Sequence, residues 1–101
     1  MDYSTKTLYV NTSKDVKFTS PWIVAEGLRP HRIVIRDLGP IATKDDIHEY
    51  VVHDEVLTES KDTAFMSGHY TTDIEEAIEL FAHRSKISLK RGSLAKEVQY
   101  V

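Results

Sequence analysis

The chain has 101 residues, 41% of them hydrophobic and 29% charged, with a formal net charge of −3. This length suits one hydrophobic core, so we expect residues 1–101 to form a single domain. The balanced composition argues against a fibrous or disordered protein, and the lack of any cysteine excludes disulfides, thiolate metal sites and cysteine nucleophiles.

The sequence gives no sign of export or membrane insertion. Residues 1–18 lack a basic segment followed by an apolar one, so we expect no signal peptide. Every apolar run is far shorter than the roughly 20 residues that span a bilayer. We therefore expect a cytoplasmic protein without a membrane partner.

Charge is distributed unevenly along the chain. Lys and Arg outnumber Asp and Glu by seven to four in residues 1–44 and by five to one in residues 80–101, whereas residues 45–79 hold one basic and eleven acidic residues. The acidic middle argues against a face that binds duplex nucleic acid, which needs a concentrated basic stripe. It would permit head-to-tail self-association, although solvated surface is the simpler interpretation.

Periodicity divides the first half of the chain into strands separated by turns. Pro21 has no N–H for a sheet ladder, so the second strand must be bulged, broken or at an edge there. Residues 27–31 are typical of a turn, which predicts a hairpin of Trp22–Glu26 with Arg32–Arg36. The predicted strands are 6–11, 16–26 and 32–38, and the Gly-Pro pair and charges of 39–46 predict a loop.

A second hairpin is predicted from strands 47–58 and 63–71, and its register can be argued. If the numbers of opposed residues sum to 122, Val52 faces Tyr70 and one side of the hairpin becomes apolar. A sum of 121 mixes polar with apolar residues on both sides, so we expect the first register. That register puts His53 directly opposite His69, with Glu55 opposite Ser67 on the same face.

One amphipathic helix is predicted at residues 72–86. Thr72 and Glu75 have the spacing of a capping box at its start. Ile74, Ala77, Ile78 and Phe81 recur at helical spacing and form an apolar stripe that would pack on the sheet. The tail that follows, residues 93–101, fits either a further helix or a final strand.

These elements predict an α+β fold, a mostly antiparallel sheet of four to six strands with one principal helix, about 72–86, on one face. A single helix cannot cover both faces of such a sheet. The second face would hold Ile23, Val51, Leu57 and Phe65, which is too much apolar surface to leave in water. We therefore expect a homo-oligomer, most simply a dimer that buries this face or the C-terminal segment.

Two sets of side chains are candidate sites. His53 and His69, with Glu55 nearby, would be close enough to share a metal ion or a proton, although a metal needs three or four ligands and a solvated polar pair is the simpler interpretation. Arg29, Arg32 and Arg36 concentrate positive charge on the first hairpin, which suits an anion. Nucleic acid is the less favoured ligand because the chain is acidic and has no phosphate-binding motif.

Several short segments resemble those of a protein group. The segments DLGP (37–40), YVVH (50–53) and SGHYTTDIEEA (67–77), followed by Phe81 and Arg84, resemble small proteins encoded on mobile, integron-type gene cassettes of environmental bacteria. The resemblance implies a stand-alone, cytoplasmic bacterial protein. It brings no activity, cofactor or site residues with it.

The sequence leaves three functions open. The first is a non-enzymatic binding or assembly module that needs no cofactor and presents a partner or small-ligand surface on its sheet. The second is a small metal-binding protein or enzyme that uses His53, His69 and Glu55. The third is an anion or nucleic-acid binder that uses Arg29, Arg32 and Arg36.

Overall fold

A computed structural model describes residues 3–12, 16–42 and 44–101. It confirms the α+β fold, with one helix packed on a mostly antiparallel six-stranded sheet. The elements of the described chain are β1 (Thr7–Val10), β2 (Val16–Thr19), β3 (Ile23–Val24), β4 (His31–Ile41), β5 (Lys44–Leu57), β6 (Thr63–Thr71), α1 (Ile74–Arg91), β7 (Ser93–Leu94) and β8 (Glu97–Tyr100).

The strands form a large and a small sheet. The large sheet has the order β6-β5-β4-β3-β7, and β2 also pairs with β4. All of its pairs are antiparallel. The small sheet joins the two ends of the chain, because β1 pairs in parallel with β8. Of the two alternatives for the tail, the final strand is therefore correct.

The predicted loop at 39–46 is wrong, since β4 and β5 form one long hairpin. β4 continues to Ile41, and Pro40 pairs with His48. Gly39, at φ +93°, and Pro40 lie where the register shifts, so they distort the ladder without ending it. Thr43, within the predicted loop, lies outside the described residues.

The predicted first hairpin has the wrong extent. Its first strand is broken near Pro21, which was one of the three alternatives given for that residue. β3 meets β4 through Ile23 and His31, whereas the earlier part, β2, pairs with the region from Val34 to Arg36. Between them, the Ser20 hydroxyl accepts a hydrogen bond from the amide of Ile33 at 2.8 Å. A polar side chain thus replaces a regular ladder contact at the break.

The predicted register of the second hairpin is also wrong. Val52 faces His69, whereas Asp54 faces Met66, so β6 has one more residue than β5 between these pairs. Ser67 adopts φ +59° at this bulge. The prediction assumed a regular ladder, and a bulge of one residue moves the following side chains to the other face of the sheet.

The helix is confirmed, but α1 begins later and ends later than the predicted range of 72–86. Its N-cap is Asp73 and not Thr72, because the Asp73 carboxylate accepts from the amides of Glu75, at 2.9 Å, and Glu76, at 3.4 Å. The helix ends at Arg91, and an added Cβ on its C-cap, Gly92, would lie 2.5 Å from the carbonyl oxygen of Val24. Only glycine allows this close approach between the chain after α1 and β3.

A hydrophobic core lies on each face of the large sheet. On the helix face, α1 buries Ala77 against Ile33, Ile35 and Val52. The far face is packed at one end by the small sheet, and its cluster comprises Leu8, Val10, Trp22, Val24 and Leu57.

This second core removes the argument that led us to expect a second copy of the chain. Of the apolar residues assigned to an uncovered face, Ile23, Val51 and Leu57 are buried within one chain, and Phe65 is half-buried. The oligomeric state stays a prediction.

In the described part of the chain, no helix combines the length and apolar character needed to cross a membrane.

Candidate functional site

A buried ion pair lies on the far face, near the start of β4 and the end of β5. Arg32 and Glu55 are opposed residues of β4 and β5, and their side chains are 6% and 0% exposed. The Arg32 Nε donates to Glu55 Oε1 at 2.6 Å. Burial of two charges requires such pairing, because an isolated charge in the interior is strongly disfavoured.

Side chains from four other segments complete this network. Thr63 donates to Glu55 Oε2 at 2.6 Å, and Thr12 donates to the same oxygen. Arg32 donates to the hydroxyl of Tyr100 at 3.4 Å, and its guanidinium lies 4.9 Å from the ring centroid of Trp22. Both carboxylate oxygens are therefore occupied by the protein itself, and the network connects the small sheet to the large one.

The structure places Arg32 and Glu55 together although the sequence had assigned them to two different sites. Both are buried, so neither presents a charge to solvent. The alternation of β4 and β5 places them on one face, but sequence alone does not show that Thr12 and Tyr100 arrive from the chain ends to bond them. This arrangement suits a structural ion pair.

His53 and His69 are not opposed, contrary to the expected register. His69 lies on the helix face, opposite Val52, and its Nε2 donates to Glu76 at 2.8 Å. His53 lies on the far face, where its ring stacks on Phe65 at a centroid distance of 4.7 Å. The sheet separates the two imidazoles, and the described residues include no group of three or more metal-binding side chains.

His53 occupies an unusual environment for an imidazole. It is 6% exposed, and its Nε2 has no hydrogen-bond partner among the described residues. Burial lowers the pKa of His53, and the nearby positive charges of Arg36 and Arg84 lower the pKa further. This environment therefore favours the neutral form of the imidazole.

Arg36, the third arginine of the predicted anion site, also has a protein contact. Its guanidinium lies 4.6 Å from the ring centroid of Phe65. His53 and Arg36 thus both contact one phenyl ring, which gives the far face a second polar cluster outside the small sheet. Of the three predicted arginines, Arg29 lines one of the two clefts described below.

Arg84 is a residue whose role sequence reasoning missed. Its Nη1 donates to the carbonyl of Ser67 at 2.8 Å and approaches the carbonyl of Val52 at 3.5 Å. It therefore fixes α1 to the bulge of β6. Its helical spacing from Phe81 would have indicated that it faces the sheet.

A histidine–aspartate pair lies at the hairpin end of β4 and β5. His48 Nδ1 lies 2.8 Å from Asp37 Oδ1, and the amide of Gly39 also donates to Asp37 at 2.9 Å. The hydrogen bond with His48, followed by that from Gly39, lowers the pKa of Asp37. This end of the molecule therefore retains an ionised carboxylate.

The opposite end of the strands carries two adjoining clefts that share Tyr3 and Gly27. Their volumes are about 640 Å³ and about 680 Å³. We name the joined surface the basic groove, and its charged and aromatic residues are Tyr3, Lys6, Tyr9, Glu26, Arg29, Glu59, Lys61, Lys90 and Arg91.

The basic groove has the opposite charge to the molecule. Five of its residues are Lys or Arg and two are Glu, which gives +3, against −3 for the whole chain. The cations come from the N-terminus, two turns and the end of α1. The Nε2 of His31 lies 3.2 Å from Ser88 Oγ, so the C-terminal end of α1 lies beside this end of β4.

One cation of the basic groove, Lys61, lies near an aromatic ring. Lys61 Nζ lies 5.6 Å from the ring centroid of Tyr9. The turn that carries Lys61 is fixed by a hydrogen bond from the amide of Asn11 to the Lys61 carbonyl at 2.8 Å. Arg29 pairs with Glu59 at 3.0 Å, but both side chains are exposed. The ammonium and guanidinium groups thus remain accessible to a ligand.

Comparison of the chain with family models, with curated proteins and with solved structures gives no match.

Proposed function

We propose that the protein is a non-enzymatic binding module that holds an anionic ligand in the basic groove. The observation that carries this proposal is the reversal of charge, five cations and two carboxylates in one groove of an acidic chain. Cations that converge from distant parts of a sequence create a local positive potential, which attracts anions and speeds their association.

The aromatic residues of the basic groove narrow the chemistry of the ligand. Tyr9 is 45% exposed and lies under Lys61, so the groove offers an aromatic face beside a cation. Ligands that combine anionic groups with flat or apolar parts use both features. The proposal needs no cofactor.

The other functions have less support. The enzyme or metal alternative depended on His53 and His69 lying together, and the observed register separates them. Of the residues in the arginine hypothesis, Arg29 lines the basic groove, whereas Arg32 is buried and Arg36 contacts Phe65. Nucleic acid is not our choice of ligand.

On the gene-cassette resemblance and the lack of cysteine, we also propose a cytoplasmic bacterial protein.

Two charge-matched double variants test the groove with heparin as a polyanion probe. Lys6→Gln/Lys61→Gln removes two cations of the groove, whereas Lys86→Gln/Lys96→Gln removes two exposed cations elsewhere. We expect wild type and the control to be retained on heparin at low salt and to elute as salt rises. The groove variant should elute in the wash.

A second probe separates a localised site from diffuse attraction. Titration with inorganic pyrophosphate should shift the amide NMR signals of Lys6, Tyr9 and Lys61 saturably in wild type. Equal heparin elution of both double variants would refute binding in the groove. Amide NMR shifts that follow net charge alone and do not saturate at these amides would also refute it.

A further inference from the structure

The edge of the large sheet carries a feature that anion binding does not use. β6 is the first strand in the sheet order, with nine residues from Thr63 to Thr71. Apart from the bridge between Asn11 and Asp62 just before it, β6 pairs only with β5 in the described chain. One side of this strand therefore presents backbone N–H and C=O groups that pair with no other described strand, and the Ser67 carbonyl accepts a hydrogen bond from Arg84.

Apart from the bulge at Ser67, this edge lacks the usual protection against pairing with another strand. Residues 64–70 contain no Asp, Glu, Lys, Arg or Pro. Met66 and Tyr70 are 55% and 61% exposed. Soluble proteins normally place charges or proline on such an edge, and other edge strands here are short, with β2 carrying Lys17 and β7 having two residues.

The strand is complementary to a second copy of itself. Two identical antiparallel strands are related by a two-fold axis, so any charge near the axis would meet its own copy. The uncharged stretch from Ala64 to Tyr70 avoids this repulsion. An uncharged, exposed edge that meets itself thus favours a second copy of this chain over a charged partner.

The bulge at Ser67 determines the register in which two β6 strands can pair with opposed side chains on the same face of the sheet. Met66 and His69 lie on the helix face, opposite Asp54 and Val52, whereas Phe65 and Tyr70 lie on the far face. Directly opposed residues must share a face. Because the bulge adds one residue, Phe65 opposes Tyr70 of the second copy and Met66 opposes His69 of the second copy.

We propose that two copies of the chain associate through their β6 edges as a two-fold symmetric dimer. The two six-stranded sheets become one continuous antiparallel sheet, with the axis between Ser67 and Gly68. Backbone hydrogen bonds join the copies, and Phe65 and Tyr70 form cross-strand aromatic pairs. The basic grooves, which contain Lys61 just before β6, lie at opposite ends of the joined edge.

The molar mass in solution tests the association directly. We expect light scattering to give twice the 11.6 kDa of one chain at millimolar concentration. Met66→Lys/Tyr70→Lys places charges on the edge and should yield a monomer with unchanged circular dichroism, because both side chains are exposed. Leu94→Lys is the control, since Leu94 is 58% exposed on β7 at the other end of the sheet and should leave the dimer intact.

Cross-linking tests the register, because the natural chain has no cysteine. Met66→Cys/His69→Cys should form a covalent dimer on mild oxidation, since these positions oppose each other across the axis. Ala64→Cys/His69→Cys, out of register by two residues, should cross-link far less. A monomeric wild type, a dimer unaffected by the edge lysines, or equal cross-linking of both pairs would overturn the proposal. None of these measurements depends on a ligand in the groove.

Discussion

The two faces of the large sheet are both buried, but they are buried by different means. The helix face packs Ile33, Ile35 and Val52 against Ala77, with aliphatic side chains only in its buried centre. The far face buries the Arg32–Glu55 ion pair among aromatic and hydroxyl side chains. One face follows from hydrophobic patterning alone, whereas the other depends on the two chain ends meeting above it.

This difference has an energetic consequence. An apolar core loses stability in proportion to the volume that a substitution removes. A buried ion pair contributes little as a pair, but the loss of one partner leaves the other charge without compensation in the interior. A single substitution in the far face should therefore lower the stability more than one in the helix face. A double substitution that removes both charges of the far face should be better tolerated.

The largest effect should come from removing one charge of the far face. Arg32→Met leaves the Glu55 carboxylate buried without its cation, and we expect the free energy of unfolding to fall by about 3–5 kcal/mol. Arg32→Met/Glu55→Leu should recover most of this loss, because both charges are gone. Urea denaturation followed by circular dichroism measures both values.

The exposed pair Arg29–Glu59 provides the matched control for that experiment. Its groups are 3.0 Å apart, but the side chains are 45% and 86% exposed, so Arg29→Met should cost no more than about 1 kcal/mol. If Arg32→Met and Arg29→Met had equal costs, the buried network would not connect the two sheets as described.

On the helix face, the expected effect is smaller and depends on which residue of the predicted stripe is changed. Ile35→Ala opens a cavity under α1 and should cost about 2–4 kcal/mol. Ile78→Ala should cost roughly 0.5 kcal/mol or less, because Ile78 is 43% exposed. Thermal unfolding of both variants measures the contrast, and a large cost at Ile78 would mean that α1 is rotated relative to the described packing.

The parts of the fold that the sequence predicted correctly are those set by local patterns. The bounds of β6, Thr63–Thr71, follow from its alternation and flanking turns, and the helix follows from its apolar spacing. The bulge at Ser67 could not be predicted, because the side chain that satisfies the Ser67 carbonyl, Arg84, belongs to α1 and lies 17 residues further along the chain. Thr72 and Asp73 are both good N-caps, and only the observed backbone distinguishes them.

The candidate site was predicted only in fragments for a related reason. Arg29 was identified as a ligand residue, but the basic groove also takes Lys6, Lys61, Lys90 and Arg91 from segments that are far apart in the sequence and lie together only in the folded chain. The uneven charge along the sequence indicated that cations gather near the chain ends. It did not show that those ends and the Lys61 turn lie side by side.

The smallest expected effect concerns His53. Its imidazole is buried in the far face, and its Nε2 has no hydrogen-bond partner among the described residues. Because burial lowers its pKa in the folded state, the unfolded chain binds the proton more readily, near the ordinary value of about 6.5. The contribution of neutral His53 to stability is therefore present above that pH and is lost as the pH falls below it. In His53→Gln, we expect the stability to change less between neutral pH and mildly acidic pH than in wild type, as measured by urea denaturation at each pH.

His69→Gln is the control, since it leaves the buried imidazole in place and should keep the additional acid sensitivity that His53→Gln removes. If His53→Gln retained the full wild-type slope, protons would reach His53 in the folded protein without cost, and the far face would be more open to water than its burial implies.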